Sequence, residues 1–394
     1  MIYVLILIMV IILSSVYFYF RPVKTENKNI FNAEYYRGLN YLLNDEEDKA
    51  FKIFTALMDV DSSTIETHLA LGGLYRKRGE FDKAILIHQN LLSRPTLETE
   101  LKNQALYELA KDFYFAGLYD RSEKIFKNLS EIKSYKTSSL EHLIKIYEVS
   151  KDWERAIDLI KTMTTKNVNG HNTEALLAQY YCEISSLYIE QNQIEKAIAI
   201  TKKALKIYPL CIRANIQLAD CYSSSDIGTS TQYYYSVINQ DFKFANLIVY
   251  KIINLAKKVN NNSMIMKTIV MISKIKDLNF IPDIYLFLYY EGETVLAKQY
   301  IDKYGTSNLV NNFMISHTLV SSNTDELSKE SNSLISSYNN IFLNNYFFIC
   351  NNCGYKSNEL NWSCPSCNSW ESITPKSALD LLNEGGVNEK KQSI

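Results

Sequence analysis

The stretch HLALGGLYRKRGEFDKAILIHQNLL, residues 68–92, contains two apolar runs on either side of a turn, RKRGEFDKA. Gly79 suits the end of a first helix, and the acidic residues after it suit the start of a second. The same small and aromatic residues occur 34 positions earlier, since Gly38, Tyr41, Ala50 and Phe54 recur as Gly72, Tyr75, Ala84 and His88. This stretch is therefore predicted to be one unit of a repeated helix-turn-helix.

The same spacing continues through the middle of the chain. A third unit contains Ala110, Phe113, Gly117, Tyr119 and Phe126; a fourth Ile144, Tyr147, Trp153 and Ala156; a fifth Ser185, Tyr188, Ala197 and Ala204 before Pro209; a sixth begins with Ala219 and Tyr222. This period is typical of tetratricopeptide repeats, in which small residues allow close helix contact and aromatic residues fill the grooves. We predict an all-α tetratricopeptide-repeat superhelix, with about six repeats over residues 32–244.

Composition agrees with a helical chain and excludes one class of partner. Only 12 glycines and 6 prolines occur in 394 residues, which favours long helices over turn-rich β structure. Residues 245–345 keep helical apolar spacing but match the repeat poorly, so we expect degenerate helical repeats and a linker there. The net charge is -1, with 42 basic and 43 acidic residues, so nucleic acid is not expected as a partner.

The first twenty residues form a candidate membrane anchor. The run IYVLILIMVIILSSVYFYF, residues 2–20, is uncharged and would extend roughly 28 Å as a helix, close to the thickness of a bilayer. A cleavable signal peptide is the alternative, but no basic region precedes the run and no small-residue cleavage site follows it. Arg21, Lys24 and Lys28 follow in a juxtamembrane linker, residues 21–31, which places the bulk of the chain in the cytoplasm.

Two Cys-x-x-Cys pairs separated by ten residues give the strongest chemical signal. Cys350, Cys353, Cys364 and Cys367 are predicted to bind one metal ion, iron or zinc, in a module over residues 346–375, before a polar tail at 376–394. Gly354 suits the positive φ of a knuckle turn. Four thiolates leave no open position, so a structural or electron-transfer role is expected. Trp362 and Trp370 are expected to cover the module's small apolar face.

Neither the paired cysteines nor the histidines form a recognisable catalytic motif. A thioredoxin-like dithiol at Cys364 and Cys367 is the alternative to metal binding, but no βαβ pattern surrounds it. The five histidines, His68, His88, His142, His171 and His317, are dispersed, and no HExxH, GxSxG or Gly-rich phosphate loop occurs. We therefore predict a protein without catalytic residues that binds protein partners through its repeats, with self-association possible.

Three stretches carry a resemblance to a known family. HLALGGLYRKRGEFDKAILIHQNLL, AGLYDRSEKIF and SCPSCNSWESITP are similar to parts of the lipopolysaccharide assembly protein B (LapB/YciM) family of Gram-negative bacteria. The resemblance implies an inner-membrane adaptor that brings the lipid A pathway deacetylase LpxC to the membrane protease FtsH, under the control of a further inner-membrane protein. It also implies a rubredoxin-like iron site whose ligands are the four cysteines. Asn368 departs from the basic residue expected after the second pair.

Two other functions remain open at this point. A rubredoxin-like electron-transfer protein on a repeat scaffold would use the same four cysteines. An assembly scaffold for lipopolysaccharide export machinery would use the same repeats. The two differ in their need for a redox-active metal, which a metal analysis tests.

Overall fold

In a computed structural model of the protein, the described residues are 26–272, except 45, 61–64, 96, 164–166, 169–170 and 260, together with 288, 292, 294–304 and 348–376. The predicted anchor at 1–20, His317 and most of the tail lie outside them. None of the helices in these ranges combines the length and the apolar character needed to cross a membrane. The chain divides into two compact units, residues 1–152 and 153–394.

The first unit is a stack of helices joined by short turns. Its described helices are α1 (Glu26–Leu43), α2 (Glu47–Val60), α3 (Ile65–Lys77), α4 (Phe81–Leu92), α5 (Thr99–Phe115), α6 (Tyr119–Ser130) and α7 (Lys136–Val149). Each helix contacts the next, and α3 also contacts α5, as in stacked helical pairs. Helix α1 begins inside the segment predicted as a linker, residues 21–31. The predicted pairing of helices in 34-residue units is confirmed.

Small residues bring the paired helices together. Ala50, Ala84 and Ala110 are completely buried, and each lies at a repeat position where the sequence predicts close contact. A Cβ atom on Gly38 would lie only 2.9 Å from Cζ of Phe54. Larger residues at these positions would therefore force the helices apart.

An aromatic ring and a cation eight residues later contact each other in several repeats. The cation-to-centroid distances are 5.3 Å for Lys49 and Tyr41, 5.3 Å for Lys83 and Tyr75, 5.7 Å for Arg121 and Phe113, and 5.8 Å for Lys196 and Tyr188. Each pair links the first helix of a unit to the second, and each contributes about 0.5–1 kcal/mol. These contacts are local to one unit, so they stabilise these four units in the same way.

A buried polar cluster links three helices of the first unit. Arg76 donates to Glu108 at 2.5 Å and to Asp112 at 2.6 Å, and His88 Nδ1 contacts the same Asp112. Burial alone would raise the pKa of Glu108, but the charges of Arg76 and Lys111 hold it below its ordinary value. His88 and Asp112 are completely buried, so the cluster fixes the positions of these three helices relative to one another.

The second unit contains further helices, a hairpin and the small sheet of the metal module. Its described helices are α8 (Trp153–Thr162), α9 (Thr173–Glu190), α10 (Ile194–Ile207), α11 (Ile212–Tyr222), α12 (Ile227–Gln240), a short 3-10 helix (Phe242–Phe244), α13 (Ala245–Lys258), α14 (Asn262–Ile272) and α15 (Thr294–Tyr304). Its described strands are β1 (Asn167–Val168), β2 (His171–Asn172), β3 (Phe348–Cys350), β4 (Lys356–Ser357) and β5 (Ile373–Pro375). The hairpin, which the sequence does not predict, precedes α9, and Asn172 caps that helix by accepting from the N–H groups of Glu174 and Ala175. These helices form the scaffold on which the metal module packs.

A single buried cluster extends from α11 to α15. Its members are apolar and include Ile216, Ala219, Tyr234, Val237, Ile248, Ile252, Ile265, Ala297 and Tyr300. Leu360 and Trp362 of the metal module pack against the same cluster. The described residues of 245–345, which match the repeat poorly, therefore share one apolar core with helices α11 and α12.

Candidate metal centre

Two similar turns hold the four cysteines. Strands β4, β3 and β5 form an antiparallel sheet in that order, and Cys350 ends β3. After the first pair, Gly354 has a φ of 75° and donates its N–H to the carbonyl of Cys350 at 2.9 Å. After the second pair, Asn368 has a φ of 55° and donates to the carbonyl of Cys364 at 2.8 Å. Asn368 therefore occupies the left-handed position that Gly354 fills in the first turn.

The four sulfur atoms have the spacing of a tetrahedral site. All lie within 4.8 Å of one another, and two pairs, Cys350 with Cys367 and Cys353 with Cys364, are 3.7 Å apart. A metal–sulfur bond of about 2.3 Å gives tetrahedral sulfur atoms about 3.8 Å apart. The four cysteines thus fit one thiolate-bound ion. Three of them are at least partly buried, whereas Cys353 is exposed.

Hydrogen bonds reach the sulfur atoms from side chains and from the backbone. The hydroxyl and N–H of Ser369 lower the pKa of Cys367 to about 5, and burial raises the pKa of Cys364 to about 11. The side-chain amide of Asn352 donates to Ser369 Oγ at 2.9 Å and lies 3.6 Å from Cys367 Sγ. Ser372 Oγ lies 3.3 Å from Cys350 Sγ. Such contacts orient ligands and stabilise thiolates.

Gly354→Ala should weaken the module, because alanine in the left-handed region costs about 1–2 kcal/mol. A Cβ atom there would meet no other group, so the effect isolates backbone strain. Asn368→Gly is the matched change in the second turn and should leave stability unchanged or slightly increased. Thermal unfolding of the zinc-loaded proteins measures both. An equal loss in both variants would contradict the assignment of strain to φ.

The metal module packs on the helices through its two tryptophans. Trp370 contacts Trp153 of α8 and Tyr180 of α9, with ring centroids 6.1 and 5.8 Å apart and nearly perpendicular rings. Trp362 stacks on Phe244 at 6.1 Å, and the Arg213 guanidinium lies 6.0 Å from the Trp362 ring. The expectation that both tryptophans cover the module's own apolar face is therefore wrong: they contact the repeats instead.

A carboxylate beside Trp370 completes this contact. Glu371 accepts a hydrogen bond from the Gln179 amide at 2.6 Å, and its own N–H donates to the carbonyl of Trp362 at 2.9 Å. Its φ of 52° is unusual for glutamate. Burial raises the pKa of Glu371, although the Gln179 hydrogen bond and the charge of Arg213 lower it. The charged form is therefore less stable in the folded protein than in water.

The raised pKa of Glu371 predicts that the stability of the folded protein depends on pH. When the folded-state pKa of an acid is above its unfolded value, its stabilising contribution is complete below the unfolded pKa and is lost as pH rises through the folded pKa. Glu371→Gln removes this charge. The variant should therefore gain more stability relative to the unmodified protein at about pH 8 than at about pH 5. Chemical unfolding with saturating zinc at both pH values measures the difference, and equal gains would contradict this account.

The structure brings together all four cysteines of the predicted site, and none of the histidines among the described residues joins a cluster of possible metal ligands. His88 is buried beside Asp112, His68 lies 3.0 Å from Arg94, and His142 stacks on Phe126 at 4.7 Å. Gln179, Glu371 and Arg213 join the module to the repeats and were not predicted. Glu371 lies 192 residues from Gln179, so no local pattern could have paired them.

Fold and site together define a class: a tetratricopeptide-repeat protein with a C-terminal four-cysteine metal-binding module. Two family models match accordingly, one described as a rubredoxin metal binding domain over residues 348–375 and one as a tetratricopeptide repeat over residues 67–101. A solved structure, the C-terminal part of a repeat-containing protein from Cytophaga hutchinsonii, is 12% identical, covers 61% of this chain and 96% of its own, and has a TM-score of 0.42.

Full-length relatives make the likeness more specific. The chain is 25% identical to lipopolysaccharide assembly protein B of Escherichia coli K12 over 371 residues, covering 91% of this chain and 93% of the relative. The same-named protein of Haemophilus influenzae is 28% identical over 384 residues, with the same coverage. The predicted resemblance to the lipopolysaccharide assembly protein B family is confirmed.

Proposed function

We propose that this protein is an inner-membrane adaptor that regulates lipopolysaccharide synthesis by presenting the deacetylase LpxC to the protease FtsH. The similarity to lipopolysaccharide assembly protein B over 91% of the chain carries this proposal. The chain has helical repeats followed by a four-cysteine module. Residues 1–20 anchor the chain and hold the repeats on the cytoplasmic side, where a membrane protease meets its substrate.

The two parts of the described structure support a binding role without chemistry. Stacked helical pairs offer extended surfaces for protein partners. We propose that Cys350, Cys353, Cys364 and Cys367 hold a single iron or zinc ion, and that this ion stabilises the module on the repeats. Four protein ligands saturate the ion, so it has no position for a substrate.

Depletion of the protein in its own cells tests the adaptor role. The half-life of the deacetylase should lengthen after depletion and return to normal when the unmodified chain is supplied again. A chain lacking residues 1–20 should fail to restore it, because it is no longer held at the membrane. An unchanged half-life on depletion would refute the proposal, whereas restoration by the anchorless chain would refute the need for the tether alone.

Electron transfer is the second candidate function, favoured by the exposure of Cys353, which gives electrons a short path to a thiolate-bound iron. It requires a reversible one-electron couple. Metal analysis and voltammetry of the purified protein separate the two functions. Bound zinc without a redox signal removes electron transfer, and bound iron with a reversible couple supports it.

A further inference from the structure

One side chain joins the two cysteine turns of the metal centre. Asn352 lies between Cys350 and Cys353 in the first turn. Its side-chain amide donates to Oγ of Ser369 at 2.9 Å, although Ser369 follows the second pair of cysteines. The same nitrogen lies 3.6 Å from Sγ of Cys367. Asn352 therefore connects the two halves of the site and not only the ligands of its own turn.

The contact with Asn352 sets the direction of the Ser369 hydroxyl. Because Oγ of Ser369 accepts a hydrogen bond from Asn352, its own hydrogen points toward a different acceptor. That acceptor is Sγ of Cys367, which also accepts the backbone N–H of Ser369. The hydroxyl and the N–H of Ser369 and the amide of Asn352 thus converge on one sulfur atom.

A second serine hydroxyl beside the site is held differently. Ser372 Oγ lies 3.3 Å from Sγ of Cys350, and it also donates to the backbone carbonyl of Ser369 at 3.0 Å. A hydroxyl has a single hydrogen, so the carbonyl and the sulfur compete for it. The hydroxyl of Ser369 is instead directed to sulfur by a neighbouring donor. Cys367 is therefore the ligand at which a side-chain donor has the larger effect.

Hydrogen bonds to sulfur matter because of the charge of a loaded four-cysteine site. A divalent ion with four thiolates carries two negative charges overall, whereas ferric iron with the same ligands carries one. Donors stabilise the more negative state more strongly, because a hydrogen bond strengthens with the charge on its acceptor. Hydrogen bonds to the sulfur atoms thereby set the reduction potential of such centres. The donors at Cys367 therefore favour zinc or ferrous iron over ferric iron.

We propose that Asn352 and Ser369 are positioning residues that hold a hydroxyl donor on Cys367 and so make the site selective for divalent ions. Asn352 orients the hydroxyl, and Ser369 donates its hydrogen to the sulfur. Each can be replaced without removing a thiolate, so their effect is separable from ligation. This inference rests on the proposed four-cysteine metal site and does not depend on the role in lipopolysaccharide synthesis.

Voltammetry of the iron-loaded, full-length protein in detergent tests the effect on the metal. Ser369→Ala removes the donor and should lower the ferric/ferrous potential by about 59 mV, which is a tenfold loss of preference for ferrous iron. Asn352→Ala should lower the potential by less, because its amide is exposed and water takes part of its place. Ser369→Thr keeps the hydroxyl and should retain the potential of the unmodified protein.

Competition for zinc with a chromophoric chelator gives a second measurement. The zinc dissociation constant should rise about tenfold in Ser369→Ala, as expected when a group that orients a metal ligand is lost. Asn351→Ala is the matched control for Asn352→Ala, because Asn351 is the other exposed asparagine between the same two cysteines. Its side-chain oxygen accepts from the Thr374 hydroxyl at 3.4 Å, so its loss should leave zinc affinity unchanged.

The outcomes separate a donor role from a purely structural one. An unchanged potential in Ser369→Ala would overturn the proposal, and so would a Ser369→Thr variant that loses as much as Ser369→Ala. Equal losses of zinc affinity in Asn351→Ala and Asn352→Ala would also overturn it, because both would then reflect the fold of the turn. Failure of the unmodified protein to take up one ion would refute the four-cysteine site and this inference together. Full uptake with unchanged variants would refute the inference alone.

Discussion

Cys350→Ser is expected to abolish metal binding and to unfold the metal module. A serine hydroxyl does not replace a thiolate on zinc or iron at neutral pH, and structural zinc contributes about 10–16 kcal/mol to the folding of small modules. The three tryptophans of the chain, Trp153, Trp362 and Trp370, all lie where the module meets the helices. Their emission should therefore shift to the red as water reaches them, while the metal content falls from one ion per chain to none.

Ser366→Ala is the matched control for this change. Ser366 is exposed and lies between the two cysteines of the second pair, so its loss leaves the ligands unchanged. This variant should keep its metal and its tryptophan emission. Full metal content in Cys350→Ser would refute the four-cysteine site, and loss of metal in Ser366→Ala would show that the turn sequence matters beyond its ligands.

Trp370→Ala should release the module from the helices while leaving all four ligands in place. Truncation of a buried tryptophan costs about 3–5 kcal/mol, because both its apolar area and its packing are lost. Trp153 and Tyr180 would lose the ring between them. We expect faster proteolysis within residues 348–376 and faster hydrogen exchange in α9, with metal still bound.

Tyr355→Ala is the control, because Tyr355 is an aromatic residue of the same module that is 36% exposed. It should leave proteolysis and exchange unchanged. Trp370→Phe should restore part of the protection, since a smaller ring still fits between Trp153 and Tyr180. Unchanged proteolysis in Trp370→Ala would show that other contacts, such as Trp362 on Phe244, suffice to hold the module.

The sequence predicts the helices well because each unit uses local contacts. Gly38 and Gly72 lie opposite large side chains 16 residues later, and a fixed period makes such pairs visible without a structure. The cation–aromatic contacts eight residues apart were not predicted, because each joins two helices across a turn and spacing alone does not give the direction of the two side chains. The hairpin before α9 was missed because its two strands have only two residues each.

The ligands of the candidate site were predictable, whereas its surroundings were not. Two pairs of cysteines with two-residue spacers predict a metal site from the sequence alone. Trp370 and Glu371 looked like part of an isolated module, and their partners Trp153 and Gln179 looked like ordinary repeat positions. Contacts between segments so far apart depend on the tertiary fold of the chain. The spacing of residues within one segment does not specify them.

The distance along the chain between Gln179 and Glu371 also sets an order of events during translation. At about 5–20 residues per second, the ribosome adds the intervening 192 residues in about 10–40 s. Helices α8 to α11 are synthesised first, and the rings of Trp153 and Tyr180 stay exposed during that interval. A nascent chain is therefore open to chaperones at these rings until its last segment arrives, and burial of the rings marks a chain whose synthesis has passed residue 371.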